Sequence, residues 1–217
     1  MTELLVKLVI AYLLGSLVGS LLIGRLRGGA DIRTLGSGNA GATNALRTQG
    51  RAVAAGVLAI DLLKGWVATA WLARTTLPVV FPAAPALCVW AVPLCGLAVM
   101  LGHVYPVFFG FRGGKGVATL VGAVLGISAA LFLVMLVTFL VAVILFGYVS
   151  LGSMLAAIAV AVAIALGDFR PRTPLLTFAV LASLLILYTH RSNLARLLSG
   201  SEPRARRLWL LGLKRNA

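Results

Sequence analysis

The sequence has few charged residues, and acidic residues are the scarcest of them. Only 11% of its 217 residues are charged, with 19 lysines and arginines against 5 aspartates and glutamates, whereas 61% are hydrophobic. A soluble domain averages about 25% charged residues, so this chain lacks the polar residues needed to cover a water-facing surface. Its mean hydropathy is +1.06, and we predict an integral membrane protein.

The scarcity of acidic residues and histidines excludes several kinds of catalytic site. The acidic residues are Glu3, Asp31, Asp61, Asp168 and Glu202. They are dispersed along the sequence, so no carboxylate cluster is predicted that could bind two metal ions. Neither histidine is followed five residues later by Asp or Glu, so the histidine–aspartate acyltransferase motif is missing.

Cysteine is scarce as well. Cys88 and Cys95 lie seven residues apart in one apolar stretch, which corresponds to about 10 Å along a helix. That separation is too large for a disulfide within one helix, so we predict two free thiols. The basic residues lie in short loops rather than in a polar domain, which argues against a nucleic-acid partner.

Apolar runs long enough to cross a membrane recur along the whole sequence. A spanning helix needs about 20 mostly apolar residues. The runs cover residues 4–24, 52–73, 79–101, 116–148, 150–166 and 174–189. The fourth run has 33 residues and as one helix would be about 50 Å long. It is therefore either an overlong helix or two spans joined near Gly126 and Ser128.

The positions of the basic residues decide between these possibilities. Fourteen of the 19 lie in the first loop, in the loop after the third run and in the tail from about residue 191, so these segments belong on the cytoplasmic side. An even number of crossings must then separate the second of these loops from the tail. We therefore predict an all-α transmembrane helical bundle, a single domain over residues 1–217 with seven spans, the N-terminus outside and the C-terminus cytoplasmic. Six spans with one re-entrant segment are the alternative.

The first cytoplasmic loop is rich in glycine and short polar side chains. Residues 36–44 read GSGNAGATN, and Arg47 follows. The glycine spacing matches a dinucleotide-binding fingerprint, but that fingerprint requires a preceding strand in a parallel sheet, and no strand pattern precedes it here. Alternating glycines let successive N–H groups converge on an anion, and an arginine fork suits phosphate. We predict anion binding, the alternative being a flexible connector.

The second cytoplasmic loop places a lysine among glycines. Residues 113–116 read GGKG, similar to a Walker A loop, but that loop needs an earlier glycine and a Ser or Thr after the lysine. Phe109 and Gly116 stand at those positions, so an ATPase is unsupported. A lysine at the start of a helix still suits phosphate. The alternative is a charge that only sets membrane orientation.

A third polar group closes the last span. His190, Asn193 and Arg196 are spaced i, i+3 and i+6, close to one face of a helix that continues past the membrane surface. Snorkelling to the interface also accounts for the histidine and the arginine.

Asp61 and Lys64 lie inside the second apolar run. Each would cost about 2.5 to 3.5 kcal/mol if unpaired at the bilayer centre. We predict that they pair along one helix face and serve the structure, with a proton pathway as the alternative.

Together, these segments resemble the bacterial acyl-phosphate:glycerol-3-phosphate acyltransferase family of the PlsY type. The resemblance covers residues 36–47, 102–119 and 190–202 and the DLLKG element at 61–65. It implies a seven-span inner-membrane enzyme whose active site opens to the cytoplasm, without cofactor or metal. The implied reaction moves a fatty acyl chain from acyl phosphate to the 1-hydroxyl of glycerol 3-phosphate, giving lysophosphatidic acid and phosphate, the first acylation of phospholipid synthesis. The basic tail with Trp209 has no match, and we assign it to the membrane surface.

The resemblance also implies site residues. The catalytic set is Ser37, Lys115 and His190, and the substrate-binding set is Gly36, Gly38, Asn39, Asn44, Arg47, His103, Gly113, Gly114, Asn193, Arg196 and Glu202.

We expect these residues to divide the two substrates between them. Ser37 and Lys115 are expected to hold acyl phosphate, and Arg47, Asn193 and Arg196 are expected to hold glycerol 3-phosphate. N–H groups near Gly113 and Gly114 are expected to take the oxyanion.

The attacking hydroxyl can pass its proton to His190 or to a substrate phosphate. We favour the phosphate, because apart from Glu202 no carboxylate is available to orient His190 as a base.

A transporter for a phosphate-bearing anion is the competing function. It predicts charged or broken helices near the bilayer midplane in both halves of the chain. The polar motifs instead gather at one predicted face, which favours an enzyme acting at the membrane surface.

Overall fold

The structure is a computed structural model that describes residues 2–78, 85–205 and 209. Helices form the architecture, and no strand occurs in the described ranges, which confirms the all-α prediction. The helices are α1 (Thr2–Gly15), α2 (Gly19–Leu26), α3 (Ala42–Thr48), α4 (Arg51–Trp66), α5 (Pro85–Val104), α6 (Val117–Ile127), α7 (Ala129–Phe146), α8 (Val149–Leu166), α9 (Arg172–Thr189) and α10 (Arg191–Leu198). A π-helical turn, Val67–Leu72, extends α4.

The helices confirm a multi-pass membrane protein. Among the described residues, five stretches are long and apolar enough to cross a bilayer, and the bent pair α1–α2 makes a sixth. The predicted division of the fourth run is confirmed, because α6 ends before Ser128 and α7 begins after it. Helix α6 has 11 residues and is about 16 Å long, shorter than a hydrocarbon core of about 30 Å. Seven spans and their orientation stay a prediction, and the predicted start of the third run, 79–84, lies outside the described residues.

The chain divides into two compact units, Met1–Ser128 and Ala129–Ala217. The single domain expected over residues 1–217 stays a prediction. The first unit contains α1 to α6 and both glycine-rich loops, and the second contains α7 to α10.

Glycines let helices of the first unit approach backbone to backbone. A Cβ atom on Gly15 of α1 would collide with the carbonyl of Val99 on α5, and one on Gly65 of α4 would collide with the carbonyl of Thr119 on α6. Small residues at such contacts are typical of membrane helices, which cannot rely on the hydrophobic effect to associate within lipid. These contacts place the start of α6, and with it the second glycine-rich loop, against α4.

The first apolar run is not one continuous helix. Helices α1 and α2 meet at an angle of 55° across residues 16–18. A break inside an apolar run leaves backbone N–H and C=O groups without helical partners. Side chains from α4 supply those partners, as described below.

In the second unit the apolar helices α7, α8 and α9 are joined by short turns. Gly147 adopts a positive φ of 81° between α7 and α8. Ser183 of α9 donates a hydrogen bond to the Ala157 carbonyl of α8, 2.9 Å away. The expected continuation past the membrane surface is interrupted at His190, because α9 ends at Thr189 and α10 begins at Arg191.

Candidate functional site

Asn44 organises the first glycine-rich loop. Its side chain is buried, and its Oδ1 accepts the N–H of Ser37 at 2.9 Å. Its Nδ2 donates to the carbonyls of Ile32 and Leu35 at 3.2 and 2.9 Å. Asn44 was expected to bind substrate, and the structure instead gives its side chain a place inside the loop, where it fixes the backbone at Ser37.

Polar and basic side chains of this loop reach the surface. Ser37 and Arg47 are exposed, and Asn39 is half-buried. Gly36 and Gly38 have positive φ values of 57° and 70°, a conformation that glycine adopts without strain. The predicted anion-binding loop therefore has the backbone shape that its glycines indicate, with Ser37 presented to solvent.

Arg33 joins the two glycine-rich loops, a role that the sequence did not reveal. Its Nη1 donates to the carbonyls of Phe109 and Arg112 at 2.8 and 2.9 Å, and its Nη2 lies 2.6 Å from Asp31 Oδ2. The hydrogen bond from Arg33 to the side chain of Asp31 holds the pKa of that carboxyl below its usual value. The signal in the sequence was an arginine two residues after an aspartate. From the sequence, we used this arginine only to predict membrane orientation.

The second loop differs from expectation in its hydrogen bonds. The N–H of Gly113 donates to the Val104 carbonyl at 3.0 Å, and the N–H of Gly114 donates to the His103 carbonyl at 3.1 Å. N–H groups near Gly113 and Gly114 were expected to take the oxyanion, and the structure gives the N–H groups of these two glycines acceptors within the protein. Their bonds fold the loop back on the end of α5.

Lys115 lies immediately before α6. It is half-buried, and Gly116 follows it with a φ of 88° as the helix begins at Val117. The first N–H groups of a helix have no partner within the helix and carry partial positive charge. Lys115 therefore stands beside a second source of positive potential, as predicted for a phosphate-binding group.

The pairing of Asp61 with Lys64 is confirmed. Their Oδ1 and Nζ atoms lie 3.0 Å apart, and both side chains are buried. His103, expected to bind substrate, is buried beside them with 3% of its surface exposed. Its burial is at odds with a direct substrate contact, and its surroundings are treated in the last part of the Results.

His190 is held by the end of α9. It is buried, and its Nδ1 lies 2.9 Å from the carbonyl of Ile186. A carbonyl oxygen only accepts, so Nδ1 carries a proton and Nε2 is the basic nitrogen of the neutral ring. The Ile186 carbonyl therefore orients the ring at Nδ1, and Glu202 as an orienting group stays a prediction.

Glu202 gathers polar side chains of the second unit. Its Oε1 accepts from Ser150 Oγ and from Asn193 Nδ2, each at 2.6 Å, and its Oε2 accepts from Arg196 Nε at 2.7 Å. Burial would raise the pKa of Glu202, but these hydrogen bonds and the charge of Arg196 outweigh it and lower the pKa. Ser150 was not predicted, and an isolated serine at the start of an apolar helix gives no signal by which to find it.

The structure therefore brings the expected residues together in two groups, one in each unit. In the first group the two glycine-rich loops meet where Gly114 approaches the Ala40 carbonyl and the His103 ring. One loop carries Ser37 and Arg47, the other carries Gly113, Gly114 and Lys115, and Asn44 and His103 are buried. In the second group Asn193 and Arg196 converge on Glu202, and His190 precedes the helix that carries them. Within the described ranges no cluster of three or more His, Cys, Asp or Glu side chains lies together.

Comparisons with known proteins agree with one another. The family model described as glycerol-3-phosphate acyltransferase matches residues 5–200. A glycerol-3-phosphate acyltransferase of Geotalea daltonii is 43% identical over 202 residues, covering 93% of this chain and 97% of the relative. One of Mesorhizobium japonicum is 40% identical over 199 residues, covering 92% and 94%.

A solved structure is similar over nearly the same length. It is the crystal structure of PlsY (YgiH), an integral membrane glycerol 3-phosphate acyltransferase, in its glycerol 3-phosphate form. It shares 36% sequence identity with this chain at a TM-score of 0.80, and the match covers 93% of this chain and 94% of that one.

Proposed function

The chain belongs to the glycerol-3-phosphate acyltransferase family, and from this premise we propose that its acyl donor is acyl phosphate. The protein is an integral membrane glycerol-3-phosphate acyltransferase. In the proposed reaction the sn-1 hydroxyl of glycerol 3-phosphate attacks the acyl carbon, the bond from that carbon to the phosphate oxygen breaks, and lysophosphatidic acid and inorganic phosphate leave. This would be the first acylation of phospholipid synthesis.

The observation that carries this proposal is the balance of charge on the two glycine-rich loops. Arg47 is exposed and Lys115 half-buried, while the acidic Asp31 is engaged by Arg33. A site for two phosphate-bearing substrates must balance several negative charges, and a surplus of cations over carboxylates meets that need. Phosphate leaving from acyl phosphate carries more negative charge than the thiolate leaving from a thioester such as acyl-CoA, so cations at the bond that breaks favour acyl phosphate.

Acyl phosphate also suits a site with few strong bases. It is a mixed anhydride with a good leaving group, so the protein has mainly to position two anions and stabilise the oxyanion. Lys115 and Ser37 are proposed to hold the acyl phosphate. The oxyanion is assigned to the first N–H groups of α6, because those of Gly113 and Gly114 are already bonded.

The groups proposed for glycerol 3-phosphate are Arg47, Asn193 and Arg196. The Nε of Arg196 is occupied by Glu202, but 41% of the Arg196 side chain is exposed, so its terminal nitrogens can meet a phosphate. The proton of the attacking hydroxyl goes to a phosphate oxygen of the substrate, with His190 Nε2 as the competing acceptor. Gly36, Gly38, Asn44, Gly113 and Gly114 shape the backbone of the two loops that carry Ser37 and Lys115.

The location follows from the same proposal. The enzyme is proposed to lie in the bacterial inner membrane with its active site on the cytoplasmic side. Both glycine-rich loops carry the basic residues that the positive-inside rule assigns to that side. The acyl chain would then enter from the membrane and glycerol 3-phosphate from the cytoplasm.

Phosphate release by the purified, detergent-solubilised protein tests the donor. Palmitoyl phosphate is supplied with and without glycerol 3-phosphate, and palmitoyl-CoA serves as the control donor, with lysophosphatidic acid measured in each case. We expect phosphate and lysophosphatidic acid in equal amounts only when palmitoyl phosphate and glycerol 3-phosphate are both present. Acylation of glycerol 3-phosphate by palmitoyl-CoA but not by palmitoyl phosphate would contradict the proposal that acyl phosphate is the donor. If no product forms with palmitoyl phosphate or with palmitoyl-CoA, a transporter is favoured, and glycerol 3-phosphate flux in liposomes would be measured next.

A further inference from the structure

Three ionisable side chains of the first unit are buried together and have no part in the proposed chemistry. Asp61, Lys64 and His103 are 1, 3 and 3% exposed. Lys64 Nζ lies 3.0 Å from Asp61 Oδ1 and 2.8 Å from His103 Nδ1. Burying such groups is costly unless each has partners, so a specific function must account for the three in one place.

Part of that function is to complete the break between α1 and α2. Lys64 Nζ donates to the carbonyls of Gly15 and Leu17 at 2.8 and 3.1 Å. Asp61 Oδ1 accepts the N–H of Gly19 at 3.1 Å. The cation thus meets the carbonyl end of α1 and the anion meets the N–H end of α2, as the charges of helix ends favour.

The contacts of the His103 ring favour one tautomer. Its Nδ1 lies 2.8 Å from Lys64 Nζ and 3.4 Å from Asp61 Oδ1. A lysine ammonium group has donors and no acceptor, so in the shorter of these two contacts Nδ1 accepts. The ring proton of the neutral His103 is then on Nε2. His190 has the opposite arrangement, with its proton on Nδ1.

The other edge of the His103 ring lies against the second glycine-rich loop. A Cβ atom on Gly114 would collide with His103 Nε2, and one on Gly113 would collide with the His103 carbonyl. The N–H of Gly114 donates to that same carbonyl at 3.1 Å. The two glycines are therefore needed for close packing on His103, and Lys115 is the next residue along the chain.

We propose that His103 is a positioning residue: buried Asp61 and Lys64 fix its ring, and the ring fixes the Gly113–Gly114 backbone from which Lys115 extends. This inference rests on the proposed function to the extent that it takes Lys115 as a substrate-binding group. His103 itself does not touch the substrate. It transmits the position of the helix break, which is set inside the membrane domain, to the phosphate-binding loop.

A pair of variants separates the two edges of the ring. In His103→Asn the amide oxygen can still accept from Lys64, but nothing supports Gly114. In His103→Gln the amide reaches the position of Nε2 and supplies an N–H donor there. We expect His103→Asn to lower kcat about tenfold or more through misplacement of Lys115, with little change in Tm, and His103→Gln to recover part of that loss.

The kinetic comparison uses folded protein from size-exclusion chromatography and whichever of palmitoyl phosphate and palmitoyl-CoA the wild type turns over. An inactive palmitoyl phosphate reaction therefore counts against the donor proposal and not against His103. Wild-type kcat in His103→Asn would overturn the positioning role. A lowered Tm in both variants with unchanged kcat per folded molecule would also overturn it, since that result describes a merely structural histidine.

An NMR measurement tests the ring without any substrate. The chain has two histidines, so His190→Gln labelled with ¹⁵N-histidine reports on His103 alone. We expect Nε2 to be protonated and Nδ1 unprotonated, and we expect this preference to weaken in the same background carrying Lys64→Met. A proton on Nδ1 in the first sample would overturn the inference.

Discussion

At the scale of single residues, position relative to the backbone decides which cations can meet a substrate. Lys115 stands at the start of α6 beside glycines, whereas Lys64 is buried among backbone carbonyls. Arg33 donates hydrogen bonds to two carbonyls and pairs with a carboxylate, whereas Arg47 is exposed. The same side-chain type thus serves either the loop or the substrate according to the partners that the fold supplies.

Replacement of Lys115 should remove catalysis, because this lysine is proposed to hold the phosphate that leaves. We expect Lys115→Ala to lower kcat by about a hundredfold to a thousandfold, the range found for a lost transition-state donor. Initial rates of phosphate release measure the effect. Lys115→Arg keeps the charge and is expected to retain more activity than the alanine variant. Wild-type kinetics in Lys115→Ala would remove this residue from the site.

Replacement of Arg47 should act on binding instead. Loss of a charged hydrogen bond to phosphate costs roughly 1.5 to 3 kcal/mol, so we expect Arg47→Ala to raise the KM for glycerol 3-phosphate by about tenfold to a hundredfold with a smaller change in kcat. Arg51→Ala, an exposed arginine four residues on, is the matched control and should leave KM unchanged. An equal rise in both variants would indicate a general electrostatic effect.

Glu202 gives the second unit a pH-dependent contribution to stability. Its pKa is lowered in the folded protein from an ordinary value of 4.5, so the stabilisation is fully present above that value and is lost as the pH falls through the lower folded pKa. We expect Glu202→Gln, which cannot pair with Arg196 as an ion, to lower Tm at neutral pH. The difference from wild type should shrink as the pH is lowered from about 6 to about 3. A difference in Tm that is constant over this range would contradict the ion pair.

At the scale of helices, the contacts of the first unit depend on glycine rather than on large apolar side chains. A Cβ atom on Gly122 of α6 would collide with the Leu62 carbonyl of α4, just as one on Gly65 would collide with Thr119. Because these neighbours are backbone atoms, they cannot move aside without separating the helices. The position of Lys115 at the start of α6 depends on this contact.

Gly122→Ala tests that dependence. Overpacking of this kind costs about 1 to 3 kcal/mol, so we expect a lower Tm together with a lower kcat, since α6 is displaced. Gly24→Ala is the control, because a Cβ there would meet its nearest neighbour, the Ala30 carbonyl, at an ordinary 3.8 Å. Thermal unfolding and turnover are measured on both. Unchanged values in Gly122→Ala would show that the helices can separate at no cost.

At the scale of the whole molecule, seven spans require α6 to cross the membrane. With seven spans, Ser128 lies outside the cell, and with a re-entrant α6 it does not. We expect Ser128→Cys, in a chain with Cys88 and Cys95 replaced by alanine, to react with a membrane-impermeant maleimide added to intact spheroplasts. Ser199→Cys, on the predicted cytoplasmic tail, should react only after permeabilisation. Labelling of residue 128 only after permeabilisation would favour six spans.

Composition and spacing determined the outline of this protein. Scarce charge and long apolar runs require helices that satisfy their own backbone in lipid, and a run of 33 residues is too long for one span, so the break at Ser128 was predictable. The pairing of Asp61 with Lys64 followed from the cost of an unpaired charge in the membrane. The loops that carry Ser37 and Lys115 were identified from their glycines and basic residues.

Only the tertiary structure decided how those loops are supported. The 55° bend between α1 and α2 depends on hydrogen bonds with Asp61 and Lys64 of α4. These side chains lie 42 to 49 residues from the backbone groups that they contact. Likewise, Asn44 and His103 look like substrate ligands in the sequence, yet folding buries both beneath the loops. Sequence spacing reports which residues share a helix face, but whether a polar side chain meets a substrate or the chain's own backbone depends on which distant element packs against it.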